Sequence, residues 1–73
     1  MLRMIEKRGI ELALQSTGRS RHHCDDGWVF TIATLEDDGY QVHGWDSDNP
    51  VDNQSNVASS VKEVIALIAE HEN

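Results

Sequence analysis

The sequence predicts an α+β domain: a small antiparallel β-meander of three or four strands, packed on one face by a C-terminal amphipathic α-helix. Three observations predict it. Residues 28–35 read WVFTIATL, a run of β-branched and aromatic side chains that suits a pleated, buried strand. Asp38-Gly39 then separates this run from a second β-rich stretch, YQVHGW at 40–45, as a hairpin turn does, because glycine readily takes the positive φ such turns require. Finally, apolar residues at 57, 61, 64, 65 and 68 form the i, i+3, i+4 stripe of an amphipathic helix.

At the N-terminal end, Ile10, Leu12 and Leu14 alternate with Glu11, Ala13 and Gln15 in the period-two pattern of a half-buried strand. Strand is therefore expected over about 3–15, with Gly9 marking a bulge or a turn back to a short strand at 2–6. A helix is the rival, but a stripe of Leu2, Ile5 and Leu12 would bury Gly9 and leave Ile10 and Leu14 outside it. Strands are expected over 28–35 and 40–45. Residues 46–56, DSDNPVDNQSN, hold almost every loop-forming residue type and one sizeable apolar side chain, Val51, and so read as a long loop. A helix follows over about 57–71, capped by Asn56 or, one turn later, by the box Ser60-x-x-Glu63.

Seventy-three residues make one domain, near the size at which a hydrophobic core alone holds a fold together. The lone Cys24 cannot form an internal disulfide, and a secreted domain this small ordinarily needs several, so the expected setting is cytoplasmic. The opening MLRMIEKR has no apolar stretch of signal-peptide length, and the longest apolar run, Val64 to Ala69, falls far short of the ~20 residues of a membrane span.

Charge is the least ordinary property of the chain. Residues 1–24 carry five of the six Arg and Lys residues against two acids, whereas the remaining 49 carry Lys62 alone against eleven acids. A field this polarised selects partners and steers encounters. The acidic bulk excludes direct binding to a nucleic-acid backbone or an anionic membrane, both of which it repels. No phosphate-binding glycine loop, catalytic motif or cofactor motif is present.

In a meander, the loop between strands one and two and the loop leaving strand three emerge at the same end of the sheet. That end is expected to gather Arg19, Arg21, His22, His23, Cys24, Asp25 and Asp26 with Asp46, Asp48 and Asp52, while Glu36, Asp37 and Asp38 lie opposite. The run His22-His23-Cys24-Asp25 holds every common zinc-ligand type. Its spacing is wrong for one ion, because adjacent residues in extended chain point to opposite sides and structural sites space their ligands more widely. No metal is therefore expected, and those residues are the candidates if there is one. His43 is expected on the uncovered sheet face and His71 beside the last helical carbonyls. Asp46-x-Asp48 with Asp52 is no calcium loop, since Pro50 and Val51 stand where a ligand and a sharp-turn glycine are needed. Cys24 beside His23 lacks the orienting third group and oxyanion donors of a nucleophile pair, so no enzyme is expected.

With a three-residue turn, Trp28, Phe30, Ile32, Tyr40 and Val42 share one sheet face, and Val29, Leu35, His43 and Trp45 the other. One helix covers one face. The second is either shielded by Leu2, Met4 and Ile5 packed across it, or exposed as an aromatic patch rimmed by acid, the composition of a protein interface. The expected function is a non-enzymatic protein–protein interaction module that docks on a basic protein surface. Asp25, Asp26, Asp46, Asp48 and Asp52 steer the encounter, and Trp28 or Trp45 serves as anchor. Small phage inhibitors of host nucleases and nucleoprotein complexes are similar in size and charge; that likeness implies a nucleic-acid-mimicking inhibitor or regulator whose partner is a nucleic-acid-binding protein. The alternatives are a self-associating homodimer with a structural or regulatory role and, after it, a small metal-binding domain.

Overall fold

The computed structural model describes residues 2–72. The element order is α1 (Met4–Thr17), β1 (Arg19–His23), β2 (Trp28–Thr34), β3 (Tyr40–Asp46), β4 (Asn49–Ala58) and α2 (Val61–Glu72). The four strands form one antiparallel sheet in sequential order. The α+β meander is as expected, with four strands, but it carries a second helix.

Residues 4–17 are helix, where strand was expected over about 3–15. The Glu6 carboxylate accepts the Arg3 backbone N–H at 3.0 Å and so closes the first turn. Gly18 ends the helix in the left-handed region, φ 75°, and donates its N–H to the Leu14 carbonyl. Leu2, Ile10 and Leu14 are buried and Leu12, Met4 and Ile5 face water. The inward stripe thus runs through 2, 6, 10 and 14, and the alternation of Ile10, Leu12 and Leu14 is incidental. Gly9 lies on the open side of the helix, with nothing near the position a Cβ would take.

The β2–β3 hairpin has the expected face assignment, since Thr34 pairs with Tyr40 and Phe30 with Gly44. Its positive φ falls on Asp38, at 67°, and not on Gly39. Gly39 is closely packed instead: a Cβ there would sit 3.2 Å from the Ala58 carbonyl oxygen. Residues 46–56 are not a loop. A tight turn at 47–48 leads into β4, whose residues 49–57 are all exposed, so the strand has no apolar alternation to read. Pro50 and a register shift at Trp45/Asp46 sit near its start, where an edge strand tolerates a missing N–H. Helix α2 starts at 61 because Val57 and Ala58 belong to β4. The Ser60 hydroxyl accepts the Glu63 N–H at 3.2 Å, and the Glu63 carboxylate accepts the Ser59 N–H at 2.8 Å.

Both helices lie on the same face. Leu2, Ile10 and Leu14 join Phe30, Ile32, Val42, Ala58, Val64 and Ile68 in one cluster, with Phe30, Val64 and Ile68 fully enclosed. Phe30 lies directly over Gly44, where a Cβ would stand 2.5 Å from the ring. No helix among the described residues is long and apolar enough to cross a membrane.

Two glycine substitutions test this packing with opposite signs. Gly44→Ala overpacks the Phe30 ring and is expected to destabilise the protein by about 1–3 kcal/mol. Gly9→Ala places a better helix former on an open surface and is expected to stabilise it by roughly 0.5–1 kcal/mol. Urea unfolding with an unchanged m-value measures both.

Candidate functional site

Covering one face with both helices leaves the other bare. The strand register arranges that bare face in three rows. Nearest the β1–β2 and β3–β4 turns lie His23, Val29, Trp45 and Asn53; the middle row is Arg21, Thr31, His43 and Ser55; the far row is Arg19, Ala33, Gln41 and Val57. No acid lies in these rows. Trp45 is half-buried, with its ring centroid 5.3 Å from that of His43, and it shelters the buried Val29 across the ladder. A shallow hollow of about 580 Å³ lies over Arg21, Thr31, His43, Trp45, Pro50 and Asn53, and a second of about 430 Å³ continues past Arg21 to Arg19 and Gln41.

Acids gather at the Trp45 end. Gly27, at φ 94° in the β1–β2 turn, accepts both the backbone N–H and the hydroxyl of Ser47 on its carbonyl, at 3.0 and 2.6 Å, which fastens the two turns together. The contact brings Asp25 and Asp26 beside Asp46 and Asp48, as the meander connectivity predicts; a Cβ on Gly27 would stand 3.5 Å from the Asp48 carboxylate. Asp52 lies farther along, in the irregular start of β4, 3.4 Å from the Asn49 amide. The early arginines do not neutralise this end: Arg3 pairs with Glu6 and Arg8 with Glu11, both within α1.

Three placements depart from expectation. Trp28 lies on the covered face, packed against the core, with its centroid 4.6 Å from the His71 ring and 6.2 Å from Phe30; of the two indoles, Trp45 alone lies on the bare face. Arg19 and Arg21 are strand residues on the same face as Trp45, not members of a loop at the acidic end. His71 reaches across to Asp26, with Nε2 3.0 Å from Oδ2, instead of the helical carbonyls. His43 is exposed on the bare face, as expected.

The histidine–cysteine run is divided by the pleat. His23 faces outward with the bare face, and Asp25 is exposed in the turn. His22 and Cys24 turn inward and are buried. The last turn of α2 meets them: His22 Nε2 lies 3.0 Å from Glu72 Oε1, and His22 Nδ1 lies 3.8 Å from Glu6 Oε2. Burial, reinforced by the Glu72 and nearby Asp26 carboxylates, pushes the Cys24 thiol up to about 12, which leaves it protonated and a poor nucleophile. Burial works to raise the Glu72 carboxyl, but hydrogen bonds from His22 and Cys24 outweigh it and hold the group below the ordinary carboxylate range. Asp26 is lowered as well, first by the Trp28 backbone N–H and then by His71. Glu72, His71 and Glu6 are the members that sequence reasoning did not reach. The visible signal for the others was the alternation His22-x-Cys24-x-Asp26, which sends every second residue to one side of a strand.

No family model matches this chain, and comparison with curated proteins and with solved structures gives no significant match to either.

A carboxylate whose folded pKa is lowered stabilises the fold above its unfolded pKa, and that contribution is lost as pH falls through the carboxylate range toward the lowered value. Asp26→Asn is therefore expected to melt below the parent protein at neutral pH, with the gap closing on acidification. Thermal melts across that range measure it; a gap that does not change with pH means the charge of Asp26 contributes nothing.

Proposed function

We propose that this protein is a non-enzymatic interaction module that docks on a basic protein surface through its bare sheet face and the acidic end that borders it. The single observation carrying this reading is the juxtaposition of Trp45, on the face that neither helix covers, with Asp25, Asp26, Asp46 and Asp48 on the two fastened turns. Trp45 offers a broad, partly desolvated ring as anchor, and the carboxylates, of which Asp26 is paired with His71 and none with an early arginine, supply orientation and encounter rate. Arg19 and Arg21 add a second constraint. They occupy the far part of the same face, so a partner must be cationic opposite the turns and must offer acceptors opposite the arginines. A nucleic-acid-binding protein whose groove expects phosphates meets the first requirement. A cytoplasmic setting belongs to the same proposal and is supported by Cys24 being a buried free thiol.

One observation favours a second reading, self-association. The bare face is basic at one end and bordered by the acidic turns at the other, so a two-fold-related copy laid face to face sets the arginines of one protomer against the acidic turns of its partner. Trp45 would then lie inside the interface.

Capture from a lysate with the parent protein and with two variants tests the first reading. Trp45→Ala is expected to weaken binding by on the order of 2 kcal/mol, about thirtyfold. The double substitution Asp46→Asn and Asp48→Asn is expected to lose proteins that the parent releases in raised salt. Both variants are checked for a native circular dichroism spectrum, and identical captures from all three overturn the reading. Sedimentation of the purified chain decides the second: a strict monomer at high concentration removes it.

A further inference from the structure

We infer that His22, Cys24 and Glu72 form a site for a zinc-class divalent ion that ties the β1–β2 turn to the C-terminal turn of α2, with the fourth tetrahedral position open to water or to one of the neighbouring side chains, Asp26 or His71. The inference does not rest on the docking reading: the site lies beneath the helices, on the sheet face opposite Trp45, and meets the docking surface only at the β1–β2 turn, where Asp25 and Asp26 border both. Ligand atoms of His22, Cys24 and Glu72 all lie within 4.8 Å of one another, and so do those of Cys24, Asp26 and His71, so that Cys24 belongs to both groups. Ligands around a tetrahedral zinc ion, at bond lengths near 2.0–2.3 Å, stand roughly 3.3–3.8 Å apart. Side-chain rotations of at most about an ångström, easiest for the carboxylates, close that difference.

The chemistry of the set matches the ion. Thiolate and imidazole select zinc over magnesium or calcium, which prefer cages of oxygen. The surroundings of His22 suit a ligand: its Nε2 faces the cluster, and its Nδ1 lies on the side of the Glu6 carboxylate, 3.8 Å away, where a small approach would make the hydrogen bond that orients a metal-bound imidazole. His22 and Cys24 are both buried, and the Glu72 side chain is 9% exposed, so the ion would be held largely out of water. A pocket of about 100 Å³ lined by Cys24, Asp25, Asp26 and Glu72 opens onto the cluster and offers the route of entry. On binding, the Cys24 thiol gives its proton to solvent as the sulfur–metal bond forms, so affinity rises with pH.

The purified full chain, reduced and stripped with chelator, is titrated with zinc chloride and, separately, with cobalt(II) and calcium chlorides. One zinc per chain and a melting temperature raised by several degrees are expected with zinc but not with calcium. Cobalt(II) is expected to give visible bands of tetrahedral intensity together with a sulfur-to-cobalt charge-transfer band. Cys24→Ser should abolish the charge-transfer band, and Glu72→Gln should weaken zinc binding tenfold or more. An unchanged melting temperature with no cobalt spectrum overturns the proposal and leaves two histidine–carboxylate pairs. Equal effects of zinc and calcium, or a cobalt spectrum without sulfur charge transfer in the unsubstituted chain, overturn it as well, because they place the ion on surface acids.

Discussion

Phe30 lies over Gly44 at the middle of the sheet, and that contact sets how closely everything else approaches. With no side chain at 44, the ring settles onto the β3 backbone, and Ile32, Val42, Val64 and Ile68 close around it. The apolar side chains of both helices are drawn to this one centre, with α1 over β1 and β2 and α2 over β3 and β4. A second core on the other face has no material left: Met4 and Ile5 point to solvent from α1, and Val51 and Val57 are exposed on β4. The bare sheet face is therefore a consequence of how the core is built, and the docking proposal rests on it.

The same packing brings the end of α2 over the β1–β2 turn. His71 sits against both Trp28 and Phe30, with its ring edge-on to Phe30 at 5.3 Å. Adjacent Glu72 is thereby delivered to His22 and Cys24. A buried imidazole and a buried thiol each need a polar partner, and the last turn of the helix supplies one carboxylate that serves both. A cluster assembled from two distant parts of the chain thus depends on an aromatic stack beside it.

What could be read from the sequence was what burial writes into it. The β2 and β3 strands and the face assignment of their side chains were legible from β-branched and aromatic residues on either side of the Asp38-Gly39 turn, and the stripe at 61, 64, 65 and 68 from its helical spacing. The N-terminal helix was misread because three residues of spurious alternation outweighed its own evidence, the Arg3-x-x-Glu6 closure and the Gly18 stop. β4 could not be recognised at all: its side chains face water on either side, so its identity lies in backbone pairing with β3, which leaves no mark on composition. At the candidate site, connectivity correctly placed Asp25, Asp26, Asp46 and Asp48 together. Trp28 was offered as an anchor although the face assignment already grouped it with Phe30 and Ile32, and the partners Glu72 and His71, nearly fifty residues from the β1–β2 turn, carry no local signal of that encounter.

The exposed β4 strand has a further bearing on how this chain can change over time. Nine of its ten residues are exposed, so replacing their side chains costs the core nothing provided the backbone can still pair with β3. The strand is a stretch of sequence on which drift is nearly free, set beside a hairpin where Gly44 cannot be altered at all without moving Phe30. New side chains can accumulate along that border, next to Trp45, while the scaffold beneath them stays the same.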